Sequence, residues 1–553
     1  MIRSVMRLPF PRGLRPGPGW VLTLGFLLAF SVYEGGRVLH TRPAPCHLWR
    51  QTDCLSLTEN YRNGRPFLEP EIHARIADGG TTGNSAGEFP LIYWAIGQVW
   101  KLTGPSEFVY RLFGILLHFA ATWALYLALR RVLGDAFWAV ASALLLFTSP
   151  VIVYYSMGFL TDVPALDLVL IGWYFVVRHA QERRSRWWAL AMACFALATL
   201  LKVSAGISLV AILTILLVAT LMPARFGGHH RLLPDVRPAW AWSALAVVAI
   251  LSWYAYAEAY NDRHNGRYTF NSIWPIWDMT PEEVDRAWTF GKRILVFQVF
   301  DTTVWLVLAV ALVAAALHVR RLPGPVALLN ILLLLGVIAY TLLWFHAVDG
   351  HDYYFISPLI LPLVLWTTFL WWLRRDHPSV FRSAWPRTAF ALLLVYNVAY
   401  AANNMRMRYA ERSPIDPSEI LPIHHTHELP YWSAMDHYDL RGTLDLGPTL
   451  DTLGIPKDAW VIFLDDHTIN GSLYLMGRKG FTRYANDWSD PGTFDRLIDR
   501  GARYLLFAQD RWLEDPLVAP YLTRPLARHN GIRIYALGGS AGAMSGTDPE
   551  VGL

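Results

Sequence analysis

The sequence predicts a polytopic α-helical membrane protein of about eleven transmembrane helices, with an extracytoplasmic α/β domain at its C-terminal end. Three observations predict it. Hydrophobic residues make up 54% of the 553 and charged residues only 16%, against about 25% charged in an average soluble domain. The apolar residues fall into runs long enough to cross a bilayer, which takes roughly 20 residues of helix. Arginines recur at every second connection between those runs, the pattern that marks cytoplasmic ends. The net charge of +5 therefore reads as an orientation signal and not as a nucleic-acid patch. With 25 Trp, 25 Tyr and 27 Phe, the composition also excludes a disordered chain, a collagen and a disulfide-rich secreted module.

The first run, 19–39, follows Arg3, Arg7, Arg12 and Arg15. Glu34 and Arg37 close it where a signal peptide would carry a small-residue cleavage site, so it reads as a retained helix. Further runs lie at about 107–129, 136–155, 161–178, 187–202, 204–222, 239–259, 296–318, 325–346, 353–373 and 385–402. With the N-terminus inside, the inner connections hold Arg130 and Arg131; Arg178, Arg183, Arg184 and Arg186; Arg225, Arg231 and Arg237; Arg320 and Arg321; and Arg374, Arg375, Arg382 and Arg387. The short outer connections are nearly bare of arginine. Residues 1–402 thus read as a membrane body, with the N-terminus cytoplasmic and the C-terminus outside.

Three polar regions fall on the outer side. The loop 40–106 contains an apolar stretch, 89–102, too short to span; it is expected along the membrane surface with Trp94 and Trp100 at headgroup depth. The second loop covers 260–292. The third region, 403–537, reads as an α/β domain. Its segments 459–466 and 502–509 are short apolar runs typical of buried strands, and 531–537 alternates as a further strand. Residues 494–501 read as a helix closed by Gly501. The Gly- and Ser-rich tail 538–553 reads as disordered.

The candidate chemistry lies on that outer side: Asp53 in WRQTDCLSLTENY, Glu88 in GEFPLIYW, Asp162 at a helix start, Lys202 where two spans meet, Arg263 and His264 in the second loop, and His351, Asp352, Tyr353 and Tyr354 in HDYYFISP. Each has a plainer reading. Asp162 could cap its helix, Lys202 could snorkel to headgroups, and the His/Tyr group could be an interfacial belt. A lysine between two spans is nevertheless costly and tends to be functional. The topology places all of these residues on one face of one membrane. Cys46 and Cys54 share one loop and could pair in an oxidising compartment or stay as two thiols. The HHTHE run, His424 to Glu428, offers metal-like side chains but follows a proline in linker sequence and reads as a solvated loop.

WRQTDCLSLTENY, then GEFPLIYW, TLLKVSAG and HDYYFISPLILP resemble, in that order, motifs of the bacterial GT-C glycosyltransferases of the protein-mannosyltransferase and aminoarabinose-transferase type. The resemblance spans about residues 20–400, and the tail resembles the outer α/β domain of some members. It implies transfer of a sugar from a polyprenyl-phosphate (undecaprenyl-phosphate) donor to an acceptor hydroxyl of a glycan, lipid A or protein, with inversion. It implies Asp53 as the general base and Lys202 on the lipid phosphate, with Arg263 and His351 as alternatives. Glu88, Asp162, His264, Tyr353 and Tyr354 would line the substrate site. Many members carry an acidic pair or an E-x-D arrangement at the first site, whereas Thr52 and Cys54 flank Asp53 here. No cofactor is expected to be obligatory. A divalent metal would have Glu88, His264 and Asp53 as its ligands. The rival readings are a transporter or flippase of a polyprenyl-linked sugar, which would place ionisable groups near mid-bilayer, and a membrane anchor for the C-terminal domain, which would not need eleven spans.

Overall fold

In a computed structural model, which describes residues 17–43, 46–222, 236–266, 272–409 and 440–538, each predicted apolar run falls on helix. Six helices are long and apolar enough to cross a membrane: Glu107–Leu133, Asp162–Glu182, Val203–Leu221, Arg237–Arg263, Gly324–Leu343 and Asp352–Asp376. Two more predicted spans are broken. Ala136–Leu146 meets Pro150–Ser156 at 73°, and Pro281–Val299 meets Thr302–Leu317 at 97°. Pro150 starts the second half of the first break, where its missing N–H costs nothing. A π-turn, Leu295–Val299, and the cap Asp301 mark the second. Pro18–Val32 and Ser185–Leu201 are apolar but shorter than a full crossing. The last helix, Ala384–Arg408, carries buried Asn397, Asn403 and Asn404 and runs past the expected domain boundary at 402. Among the described residues, six helices, or up to eight spans with each bent pair as one, pass by length and composition, beside an expectation of about eleven.

Several arginines of the predicted inner connections meet at one end of the bundle. Arg131 pairs with Glu182 and Arg387 with Asp135, while Arg374 donates to the carbonyl of Val132 and Arg375 to that of Arg321. Arg3, Arg7, Arg12, Arg15, Arg225, Arg231, the HHTHE run and residues 539–553 of the tail lie outside the described residues.

The opposite end departs from expectation. Segment 48–62, read as loop, is the helix Leu48–Arg62, and eleven of its residues are buried, Arg50, Gln51, Thr52, Asp53, Ser56, Thr58 and Asn60 among them. Its polar side chains are buried because each finds a partner. Gln51 donates to the Cys46 carbonyl, Thr52 to that of Leu48 and Thr58 to that of Cys54; Ser56 meets His73 Nδ1 at 2.6 Å, and Asn60 donates to Glu71 O at 2.8 Å. The stretch expected on the membrane surface is the helix Leu91–Thr103, packed against this polar helix. Trp100 is fully buried and donates to Ser106 O at 3.0 Å, so only Trp94 stays half exposed. The two helices touch through Gly97, where a Cβ would lie 2.9 Å from Thr58 O and 3.0 Å from Tyr61 Cβ.

Five strands form the C-terminal sheet: β1 Trp460–Phe463, β2 Lys479–Phe481, β3 Ala502–Phe507, β4 Pro525–His529 and β5 Ile532–Ala536, in spatial order β2-β1-β3-β5-β4. β2, β1 and β3 are parallel, and β5 and β4 add antiparallel. The helix Thr493–Asp499 crosses between β2 and β3. Sequence reading misses β2 because it has three residues, and β4 because PLARH lacks an apolar alternation. The sheet domain seats on the polar end through the short helix Gly471–Leu475, which packs on Leu48–Arg62. At the β2 edge, Ala74 bridges Gly480 in parallel: Arg75 N donates to Gly480 O and Gly480 N to His73 O.

Replacing Gly97 by valine forces the two helices apart. It should cost about 1–3 kcal/mol, read as a lowered Tm of the purified protein, while valine at the nearby exposed Lys101 should change Tm little.

Candidate functional site

The helix Leu48–Arg62 organises the polar end. His47, its left-handed N-terminal residue, is followed at three-residue spacing by Arg50 and Asp53, which places the three along one side of the helix. Three groups of side chains gather around them.

The first group is a charge quartet. Arg50 is ion-paired with Glu88, and Lys202 Nζ lies 3.1 Å from Asp162 Oδ1. Phe89 N donates to Leu200 O at 2.9 Å, which ties the Glu88 loop to the chain just before Lys202. Burial alone would raise the Glu88 carboxyl, but Arg50 and Lys202 outweigh it and hold Glu88 below the ordinary carboxylate range. Lys202 also stands over the rings of Tyr353 and Tyr354, 5.3 and 5.0 Å from their centroids.

The second group centres on Asp352, which is fully buried. Its Oδ1 accepts from Tyr155 OH at 2.6 Å and lies 3.2 Å from His47 Nε2; its Oδ2 accepts from Arg408 Nη2 at 2.6 Å. Arg408 also donates to Gln298 Oε1 and Asn404 Oδ1, lies over the Tyr154 ring and reaches Cys46 Sγ. The ring of His351 stacks on that of His47 at 5.7 Å, and burial pushes its pKa down to about 4. Tyr353 stands edge-on to His47 and so joins this group to Lys202.

The third group brings the sheet domain to Asp53. The Asp53 side chain is fully buried, and its Oδ1 accepts from Asn470 Nδ2 at 2.7 Å. Trp49, on the same helix, meets Tyr484 edge-on.

The structure thus brings Asp53, Glu88, Asp162, Lys202, His351, Tyr353 and Tyr354 to one end of the bundle. It sets two expected residues aside. Arg263 is exposed at the end of its helix. His264 joins that helix to the first loop: its Nδ1 lies 3.0 Å from Asp78 Oδ1, and its carbonyl accepts from Asp78 N. The expected Glu88, His264 and Asp53 ligand set is not assembled; each has its own partner. Among the described residues, the one group of three that could hold a metal is Cys46, His47 and Asp352, their ligand atoms within 4.8 Å of one another. Arg408 already supplies positive charge to that carboxylate and sulfur, which opposes a second cation there. Cys46 and Cys54 are both free and buried, so the candidate disulfide is absent.

Sequence reading missed Arg50, His47, Arg408 and Asn470. Arg50 and His47 stand in or beside the WRQTDC motif, and the three-residue spacing would have grouped them with Asp53 had the segment been read as helix. Arg408 and Asn470 lie 56 and 417 positions from Asp352 and Asp53 and carry no local signal. A further buried pair, His118 Nδ1 and Asp167 Oδ1 at 2.7 Å, joins two spanning helices away from this end.

The architecture is a polytopic helical bundle with ionisable groups crowded at one end, under a small α/β domain. The dolichyl-phosphate-mannose-protein mannosyltransferase family matches residues 87–257, a segment that includes Glu88, Asp162 and Lys202. The fold matches ArnT from Cupriavidus metallidurans bound to undecaprenyl phosphate, with TM-score 0.56 and 16% identity over 96% of this chain and 100% of that one. ArnT in the apo state matches with TM-score 0.52 and 16% identity over 94% and 98%. The apo oligosaccharyltransferase of Archaeoglobus fulgidus matches with TM-score 0.51 and 13% identity over 92% of this chain and 73% of that one. No curated protein sequence matches the chain. The family match is confined to residues 87–257, while the likeness of fold to these solved proteins runs over nearly the whole chain.

Burial pushes both Cys46 and Cys54 up to about 12, so neither is a thiolate at neutral pH. Thiol counting on the never-reduced protein should find these two unreactive while it is folded and all three cysteines reactive after denaturation.

Proposed function

We propose that the protein transfers a sugar from a polyprenyl-phosphate donor to an acceptor hydroxyl on the outer face of a bacterial cytoplasmic membrane, inverting the anomeric carbon. The acceptor class is a glycan, lipid A or a protein. The observation that carries this reading is the charge quartet around Arg50 and Lys202, set beside the Asp53 carboxylate on one helix and roofed by the sheet domain.

The reaction needs two things from the protein. The acceptor oxygen must lose its proton as it bonds to the anomeric carbon, and Asp53 is the base that takes it. The bond from that carbon to the phosphate oxygen breaks with its electron pair on the phosphate, which gains one negative charge. Lys202 and Arg50 are fixed cations for that charge. Each already holds a carboxylate, so the quartet is neutral before the donor arrives and the cations are kept in place without a counter-ion from solvent. Asp162 acts through Lys202 and Glu88 through Arg50, as positioning residues. Tyr353, Tyr354 and His351 wall the space beside Lys202, where the neutral His351 ring adds no charge.

The membrane body supplies a bilayer position for the polyprenyl tail. The relatives' printed descriptions support the donor class: undecaprenyl phosphate is bound to ArnT, and a dolichol phosphate to the archaeal oligosaccharyltransferase AglB. No metal is needed in this scheme, because the quartet and Asn470 already hold the carboxylates that would recruit a hard cation.

With purified protein and an undecaprenyl-phosphate-linked sugar, release of free undecaprenyl phosphate should accompany transfer. Asp53→Asn should lower the rate about 10²–10⁴-fold. Lys202→Ala should lower it about 10²–10³-fold, mainly in kcat. A folded, fully active Asp53→Asn protein would eliminate the base assignment. Chelation with EDTA should leave the rate unchanged, and its loss with restoration by one divalent ion would overturn the metal-free scheme.

A further inference from the structure

The amide of Asn470 is held by a turn built for that purpose. Asp466 is fully buried at the end of the β1 segment, and its carboxylate accepts from Thr468 N, Ser472 N and Ser472 Oγ at 2.6–2.7 Å. Thr468 Oγ1 accepts from Gly471 N at 2.7 Å, and Thr468 O accepts from Thr482 Oγ1 at 2.6 Å. Only glycine fits after Asn470: a Cβ at 471 would lie 2.5 Å from Thr468 Oγ1 and 2.8 Å from Leu440 Cδ1. The turn therefore fixes the backbone of Asn470, itself fully buried, from both sides.

The side chain is fixed as well. Ala74 N donates to Asn470 Oδ1 at 2.9 Å. A backbone N–H can only donate, so the amide oxygen must face Ala74, and the NH₂ must face Asp53 Oδ1, 2.7 Å away. Ala74 is held in turn by the bridge of its segment to Gly480 at the β2 edge. One amide thus joins three parts of the chain, the sheet domain, the first loop and the Asp53 helix, with its donor aimed at the carboxylate.

We propose that Asn470 is a positioning residue for Asp53: the sheet domain completes the site by holding this carboxylate in one orientation and favouring its charged form. The proposal rests on the reading of Asp53 as the base. A hydrogen bond donated to a carboxylate stabilises the anion over the acid. The donor takes the place next to Asp53 that a second carboxylate would fill in an acidic pair, and its effect is opposite, since a second carboxylate would push the first toward protonation. Among the described residues, three titratable groups near Asp53 are neutral around pH 7: Cys54 on its own helix, Tyr484 on the sheet domain, and His73 on the loop, which burial pushes down to about 3. Arg50 lies one turn back, paired with Glu88.

The test compares Asn470→Ala and Asn470→Asp in the full-length protein. Asn470→Asp is nearly isosteric: it keeps an oxygen for Ala74 N and puts a second carboxyl in place of the donor, so it should fold with a Tm near that of the parent at a pH where the pair shares one proton. Two readouts are taken. The first is the infrared-detected titration of the carboxyl band that Asp53→Asn removes. The second is the pH profile of undecaprenyl phosphate release from its sugar-linked form. Only the anion of Asp53 is active, so the acid limb follows its pKa, and loss of the donor raises that pKa. Both variants should move the band's midpoint and the acid limb upward by about one pH unit or more, with activity partly recovered at high pH. A merely structural role would lower activity equally at all pH and leave the midpoint alone. An unchanged midpoint in folded Asn470→Asp overturns the proposal even where Asp53→Asn is inactive. A shifted midpoint with a fully active Asp53→Asn upholds the bond and its effect on Asp53 and removes the base reading instead.

Discussion

The structure depends on the burial of a polar helix. Leu48–Arg62 carries arginine, glutamine, threonine, aspartate, serine and asparagine into the interior, where each unpaired group would cost about 1–3 kcal/mol. The chain meets that constraint with partners from every direction: Glu88 for Arg50, Asn470 for Asp53, His73 for Ser56, the Glu71 carbonyl for Asn60. Those partners come from the first loop and from the sheet domain. Satisfying one helix therefore dictates where both of them sit, and the membrane helices then close around the arrangement through Lys202, Asp162 and Asp352.

At this end of the bundle, three cations of the site each come with a carboxylate beside them. Arg50 and Glu88, Lys202 and Asp162, and Arg408 and Asp352 are three cation–carboxylate pairs, the last with both side chains fully buried. Such pairs add little net stability over apolar packing, but removing one partner is expensive. They hold side chains in one geometry without the mobility of an exposed pair. A neutral but strongly dipolar site suits the proposed transfer, in which one negative charge would move from the acceptor side to the lipid phosphate, because fixed groups need little reorganisation when a charge moves.

The membrane body was legible because its signal is periodic and local. Apolar runs mark the helices long enough to cross a membrane, and arginines such as Arg131, Arg374 and Arg387 do meet at one end. The breaks at Pro150 and Asp301 were less legible, since a bend leaves the run's composition unchanged. The polar helix was misread because sequence periodicity reports a contrast between buried apolar and exposed polar faces, and Leu48–Arg62 is buried on nearly all sides. The site residues in the four motifs were visible as types, and the fold gathers seven of them. Their partners were not. Arg408 pairs with Asp352 and Asn470 with Asp53 across 56 and 417 positions, and a pairing at that separation is set by tertiary packing, which leaves no trace in neighbouring residues. His264 and Arg263 are not among the seven: Asp78 fixes His264 in a tie between loop and helix, and Arg263 is exposed at its helix end.

The sheet domain resolves two problems with one contact. A mixed sheet whose β2 strand lies at the edge exposes unpaired backbone groups, a standing invitation to pair with another chain. The first loop covers that edge through Ala74 and Gly480, and Lys479 meets Glu71 while Arg75 lies over the Trp460 ring. The backbone segment that protects the edge also supplies the N–H that orients Asn470. The seam cannot separate at β2 without releasing the amide from Ala74, and the amide cannot turn without giving up its bond to Asp53. Domain seating and the state of the carboxylate are therefore one equilibrium, so a fold requirement of the sheet becomes a condition on the chemistry beneath it.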